Sequence, residues 1–95
     1  MRERTIEKHL VKRVKALGGI CPKMVSPGMR GFPDRMVILP DTLVNLTATA
    51  FLVEVKSPEG RLSKLQERVR KKLMSYGMFV RVVSSKGEVD ALFDF

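Results

Sequence analysis

The chain has one cysteine, one histidine and no tryptophan in 95 residues. A single cysteine excludes a disulfide within the chain, and one cysteine with one histidine is too few for a structural zinc site. Cys21 is expected to act as a small buried apolar residue. No apolar run approaches the roughly 20 residues of a membrane-spanning helix, and no signal-peptide pattern opens the chain. A soluble, intracellular protein is the expectation. Acidic residues are also scarce: ten Asp and Glu stand against eighteen Lys and Arg, a formal net charge of +8. That imbalance favours an anionic partner, which could be nucleic acid, an acidic membrane or an acidic protein; solubility alone is the bland alternative. Aromatics are few, five Phe and one Tyr, so the core should be mostly aliphatic. This length predicts one domain over 1–95, small enough to leave much of its surface exposed and open to association.

Hydrophobic periodicity lays out the elements. Residues 3–17 read as a helix, with Ile6, Leu10, Val11, Val14 and Leu17 on one stripe and Lys8, Lys12 and Lys15 opposite. Gly18-Gly19 closes it. Glu7 falls inside the apolar arc at about 100° per residue. It needs a partner there, or else it is a first-turn glutamate favoured by the helix dipole and turned to solvent. Ile20–Val25 can form a short strand, which Pro22 confines to an edge or a bulge. Ser26–Gly31 is a loop carrying Arg30. Arg35–Leu39 is a short strand that is apolar on both faces, as a covered strand should be. The register of Thr42–Ala50 stays open.

Phe51–Lys56 is a second strand. Its alternation places Phe51, Val53 and Val55 on one face and Leu52, Glu54 and Lys56 on the other. A second amphipathic helix runs from Ser63 to Tyr76, with Leu65, Val69, Leu73 and Tyr76 inward. Ser63 and Gln66 form a capping box at its start. Met78–Val83 is a third strand, and Ser85 with Glu88 caps a last short helix reaching Phe93. Helices alternating with strands through short connections predict an α/β fold, a mixed sheet flanked by helices.

Chemistry concentrates between Gly31 and Lys56. Glu54 lies in an otherwise apolar strand, where its charge needs a cation. Lys56, two residues on, could supply it as a plain ion pair. Pro33 fixes its own backbone torsion and steers Phe32 towards extended geometry, so Asp34 is held at the mouth of the neighbouring strand. Two carboxylates brought together repel unless a cation neutralises them. Hard oxygen ligands suit Mg²⁺ or Mn²⁺, which keep waters and also bind substrate phosphate. Asp34, Glu54 and the main-chain carbonyl of Val55 are the expected metal ligands. Lys56 would orient the attacking water and stabilise transition-state charge. Glu7 could hold a water or a second ion. Gln66 could hydrogen-bond Lys56 or the water, although its capping role accounts for it without catalysis.

The ordered set Gly31-Phe32-Pro33-Asp34 and Glu54-Val55-Lys56, with Glu7 before it and Leu62-Ser63 and Gln66 after it, resembles the PD-(D/E)xK nuclease superfamily. The likeness extends over almost the whole chain and is greatest to the VRR-NUC branch in its stand-alone phage and bacterial forms. It implies a restriction-endonuclease-like core and a Mg²⁺- or Mn²⁺-dependent DNA endonuclease. It also implies homodimers acting on branched DNA such as four-way (Holliday) junctions. Asp34, Glu54 and Lys56 take the motif roles directly, and Glu7 and Gln66 complete the expected catalytic set. Arg30, Arg35, Arg61 and Lys64 flank the acidic motifs and are the candidate DNA contacts. The competing reading is a non-catalytic nucleic-acid-binding module that keeps the fold; a regulatory partner of an acidic protein is a third.

Overall fold

In the computed structural model, which describes residues 2–25, 28–41 and 49–94, the order is α1 (Glu3–Ala16), β1 (Arg35–Ile38), β2 (Ala50–Val55), α2 (Lys64–Ser75), β3 (Val80–Val83) and α3 (Lys86–Ala91). The strands form one mixed sheet in the order β1-β2-β3. β1 runs antiparallel to β2, with Arg35 opposite Val53 and Ile38 opposite Ala50. β3 runs parallel to β2, with Leu52 beside Val80 and Val55 beside Val83, so α2 is the crossover that a parallel pair requires.

The alternation within β2 sets the layers. Phe51, Val53 and Val55 join Ile6, Leu10 and Val14 of α1 and Val89 and Phe93 of the α3 region in one aliphatic core. Leu52 and Glu54 face the other way, where Gln66 of α2 reaches Glu54. The molecule is therefore an α/β fold with helices on both sides of the sheet, as expected. Among the described residues no helix is long and apolar enough to cross a membrane.

Residues 20–24 run antiparallel to β1 but form only two isolated bridges, Ile20 with Ile38 and Lys23 with Arg35. Pro22 is the cause. Its carbonyl accepts from the Met36 N–H at 3.1 Å, but it has no N–H to return, so the expected strand is an interrupted ribbon.

The ends of α2 behave as their residues dictate. Ser63 and Gln66 form both bonds of the capping box. At the other end Gly77 takes a φ of 89°. The Gly77 and Met78 amides bond back to Met74 and Leu73, which closes the helix in a Schellman turn. This turn consumes Met78, and β3 starts at Val80 rather than at Met78. The inward face expected for α2 also needs correction. Only Val69 is buried, whereas Leu65 is 38% exposed and Tyr76 is 74% exposed. A sheet of three strands gives α2 a narrow platform, so the ends of its apolar stripe have nothing beneath them. Of the stretch 42–50 left open above, 42–48 lies outside the described residues. Thr49 accepts from the Leu39 N–H at 2.7 Å, and Ala50 opens β2.

Candidate active site

The site is built where β2 outruns its neighbour. The β1–β2 ladder stops at Arg35 and Val53, which leaves the Val55 N–H without a main-chain partner from β1. Pro33, buried beneath the turn, delivers Asp34 to that place. Asp34 Oδ2 accepts the Val55 N–H at 2.9 Å. A residue's N–H and C=O leave an extended strand on the same side, so the Val55 carbonyl emerges beside Asp34.

Glu54, between them in sequence, is only 4% exposed. Gln66 Nε2 donates to its Oε1 at 3.2 Å, while Gln66 Oε1 accepts from the Ser63 N–H at 2.9 Å. Capping and contact with the acidic site are therefore simultaneous roles of one amide. Burial raises the Glu54 carboxyl from 4.5 to about 8, and the charge of Asp34 and a hydrogen bond to it push in the same direction. Lys56 pulls the other way, and Glu3 adds a smaller upward push. A carboxyl raised to about 8 favours its neutral form near neutrality, which eases the repulsion from Asp34.

Lys56 is half-buried, and among the described residues it makes no ion pair with Glu54. The plain ion pair considered from sequence is not formed, which leaves the ammonium available to an incoming group.

Glu7 has a cationic partner. Its Oε2 accepts from Arg35 Nε at 2.7 Å, and Arg35 also donates to the Cys21 carbonyl at 2.9 Å. The partner that Glu7 needed is thus Arg35, whose guanidinium is engaged within the fold; Arg30, Arg61 and Lys64 are exposed. Sequence reasoning missed Glu3, one helical turn before Glu7. It influences Glu54, and its Oε1 accepts from the Ser57 N–H at 3.4 Å. The i, i+4 spacing of Glu3 and Glu7 was the available signal.

Among the described residues no group of three or more His, Cys, Asp or Glu is placed to hold a metal. The donor set at Asp34, Glu54 and the Val55 carbonyl is two carboxylates and a carbonyl, all hard oxygens. Such a set fits Mg²⁺ or Mn²⁺, which bind through one or two carboxylates and retain several waters.

Fold and site together define a small α/β domain in which a Pro-Asp turn and a Glu-x-Lys strand converge on one acidic pair. Residues 2–87 match the VRR-NUC domain family, and the chain belongs to that family. It is 42% identical over 86 residues to "Putative nuclease p44" of Acyrthosiphon pisum secondary endosymbiont phage 1, an alignment covering 90% of this chain and 86% of the phage protein. A solved structure described as a VRR_NUC domain superposes with a TM-score of 0.83 at 32% identity, covering 97% of this chain and 94% of its own.

Proposed function

We propose that this protein is a Mg²⁺- or Mn²⁺-dependent DNA endonuclease that hydrolyses phosphodiester bonds in branched DNA such as four-way junctions, acting as a homodimer of one nuclease domain. The observation that carries the reading is the Asp34–Glu54 pair: a carboxyl buried at the end of β2 and raised to about 8 by burial and by Asp34, two residues before a lysine that is in no ion pair among the described residues. A purely structural site would gain nothing from that repulsion. The family match and the nuclease named among the relatives support the activity.

Asp34, Glu54 and the Val55 carbonyl would hold the ion. When bound, it supplies a Lewis acid that lowers the pKa of water and offsets charge on the phosphate. Asp34 is fixed in orientation by the Val55 N–H, and Glu54 by Gln66. Binding requires Glu54 to give up its proton. Lys56 orients the attacking water and stabilises charge growing on the phosphoryl oxygens. The net charge of +8 favours a polyanionic substrate. A two-fold dimer would present one site to each of the paired strands of a junction, and the exposed Tyr76, Phe79 and Val82 offer apolar surface for association.

The test is a cleavage panel of junction, flap, linear duplex and single strand at matched salt, with Mg²⁺ and with Mn²⁺. The junction should be nicked; Asp34→Ala should abolish nicking and Lys56→Ala should slow it severely. If neither metal supports cleavage of any of these DNAs, the reading is wrong.

A further inference from the structure

The loop of residues 28–30 and one face of α2 enclose an open groove of about 440 Å³. The helix contributes Leu65, Arg68, Val69 and Lys72, spaced i, i+3, i+4, i+7 and so aligned along one stripe. The floor is apolar: Val69 is buried, Met29 is half-buried, and Leu65 retains 38% of its exposure. The rim is cationic. Arg30, Arg68 and Lys72 are all exposed, and among the described residues none of the three is in an ion pair.

The groove adjoins the acidic pair by two routes. Gly31, at φ 81°, brings the loop so close to α2 that an added Cβ would lie 2.9 Å from Leu65 Cγ. Three residues later the chain delivers Asp34. On the helix, Gln66 follows Leu65 directly and holds Glu54. A nucleic acid with one phosphate at the carboxylates would therefore have neighbouring nucleotides over this stripe.

We propose that the groove receives an unpaired stretch of nucleic-acid strand next to the scissile phosphate. The inference rests on the nuclease reading and adds a substrate feature to it. The three free cations match phosphates, and duplex backbone would satisfy them equally well. The apolar floor between them discriminates. A duplex keeps its base faces stacked inside, whereas an unpaired strand exposes bases and sugars that can cover Leu65, Val69 and Met29. Among the described residues no aromatic side chain lines the groove, so its contacts are apolar cover with little sequence preference. An acidic protein segment would also answer the charge, but continuity with the carboxylate pair favours the substrate strand.

The test compares binding of the full chain to a blunt duplex and to the same duplex with an unpaired arm of about ten nucleotides. Fluorescence anisotropy without divalent metal, across a salt series, is the measurement. Wild type should bind the armed DNA roughly tenfold more tightly. Arg68→Ala/Lys72→Ala should remove most of that preference and flatten the slope of log K against log salt for the armed DNA by roughly 1.4. The chain has no tryptophan, so Leu65→Trp introduces a unique reporter on a half-open position. Its fluorescence should be quenched by the armed DNA and not by the blunt duplex, with a further gain in affinity for the arm of roughly tenfold. Equal loss for both DNAs in the double variant, or equal quenching by both, overturns the proposal. Wild-type cleavage of the two DNAs with Mn²⁺ separates the levels. Cleavage with no arm preference sinks the groove assignment and leaves the nuclease; only failure to cleave the junction as well as these two DNAs, with either metal, sinks the nuclease reading too.

Discussion

Replacing Glu54 with glutamine should stabilise the metal-free protein at alkaline pH and leave it almost unchanged in mild acid. The carboxyl stands near 4.5 when the chain is unfolded and at about 8 in the fold. Between those values the folded state holds a proton that the unfolded state has released. Stability is therefore fully present below the lower value, falls as pH rises, and levels off above the upper one. The displacement, at about 1.4 kcal/mol per pH unit, sets a ceiling near 5 kcal/mol. Relaxation and water entry around a buried carboxylate soften this to about 2–4 kcal/mol.

Glutamine reproduces the protonated acid. Its carbonyl can still accept from Gln66 Nε2, and its amide can donate to Asp34. Glu54→Gln should match wild type within about 1 kcal/mol at pH 5. At pH 9 it should exceed wild type by about 2–4 kcal/mol, with Tm higher on the order of 10 °C. Thermal unfolding with EDTA at both pH values gives the comparison. A variant less stable than wild type at pH 9, or a difference that does not change with pH, would refute the placement of a strained carboxyl at this position.

The same proton should be visible on metal binding: Mn²⁺ titrated at pH 7 should release roughly 0.9 proton and at pH 9 roughly 0.1, measured by calorimetry in buffers of different ionisation heat. A value near zero at pH 7 contradicts the proton assigned to Glu54. Lys56→Ala should lower the cleavage rate roughly 10²–10³-fold while Mn²⁺ affinity stays within a few-fold, because the ammonium touches neither carboxylate. Parallel loss of metal binding would place Lys56 in the ligand scaffold instead. Glu7→Gln should cost about 1–3 kcal/mol in urea unfolding, since it leaves the half-buried Arg35 guanidinium under-partnered; the loss should largely vanish in an Arg35→Met background. Gly31→Ala should cost about 1–2 kcal/mol from the backbone alone. It should also weaken cleavage, since the new methyl meets Leu65 and displaces the turn that carries Asp34.

What was legible in the sequence follows from the range of each interaction. Periodicity and caps are local, and α1, β1, β2 and the capping box at Ser63 were readable to within a residue or two. Glu54 was readable for another reason: a carboxylate in the run Phe51–Val55 breaks the pattern that its neighbours set. The Glu7–Arg35 pair spans 28 positions of sequence, and nothing local joins the two. Helical spacing exposed the need of Glu7 for a partner but could not name it. Tyr76 and Leu65 illustrate the opposite failure. An apolar stripe shows which face of α2 avoids water, but not whether a sheet extends far enough to cover it.

Gln66 ties the folding of α2 to the electrostatics of the site. Its carbonyl oxygen accepts from the Ser63 amide and its nitrogen donates to Glu54, so the first turn of the helix forms with a donor already aimed at the carboxylate. A glutamate would complete the same capping box but would place a third acid against a pair that already repels. Leucine or methionine would leave Glu54 Oε1 without this donor. Glutamine is the residue that caps, reaches and adds no charge. Even with this donor in place, burial and Asp34 keep Glu54 raised to about 8, so the strain persists in the folded protein. That strain sits at one end of one strand, while every other charged residue in the described chain is half-buried or exposed. Exposure or pairing relieves the other charges of the described chain, and the cation proposed for Asp34 and Glu54 would relieve this one.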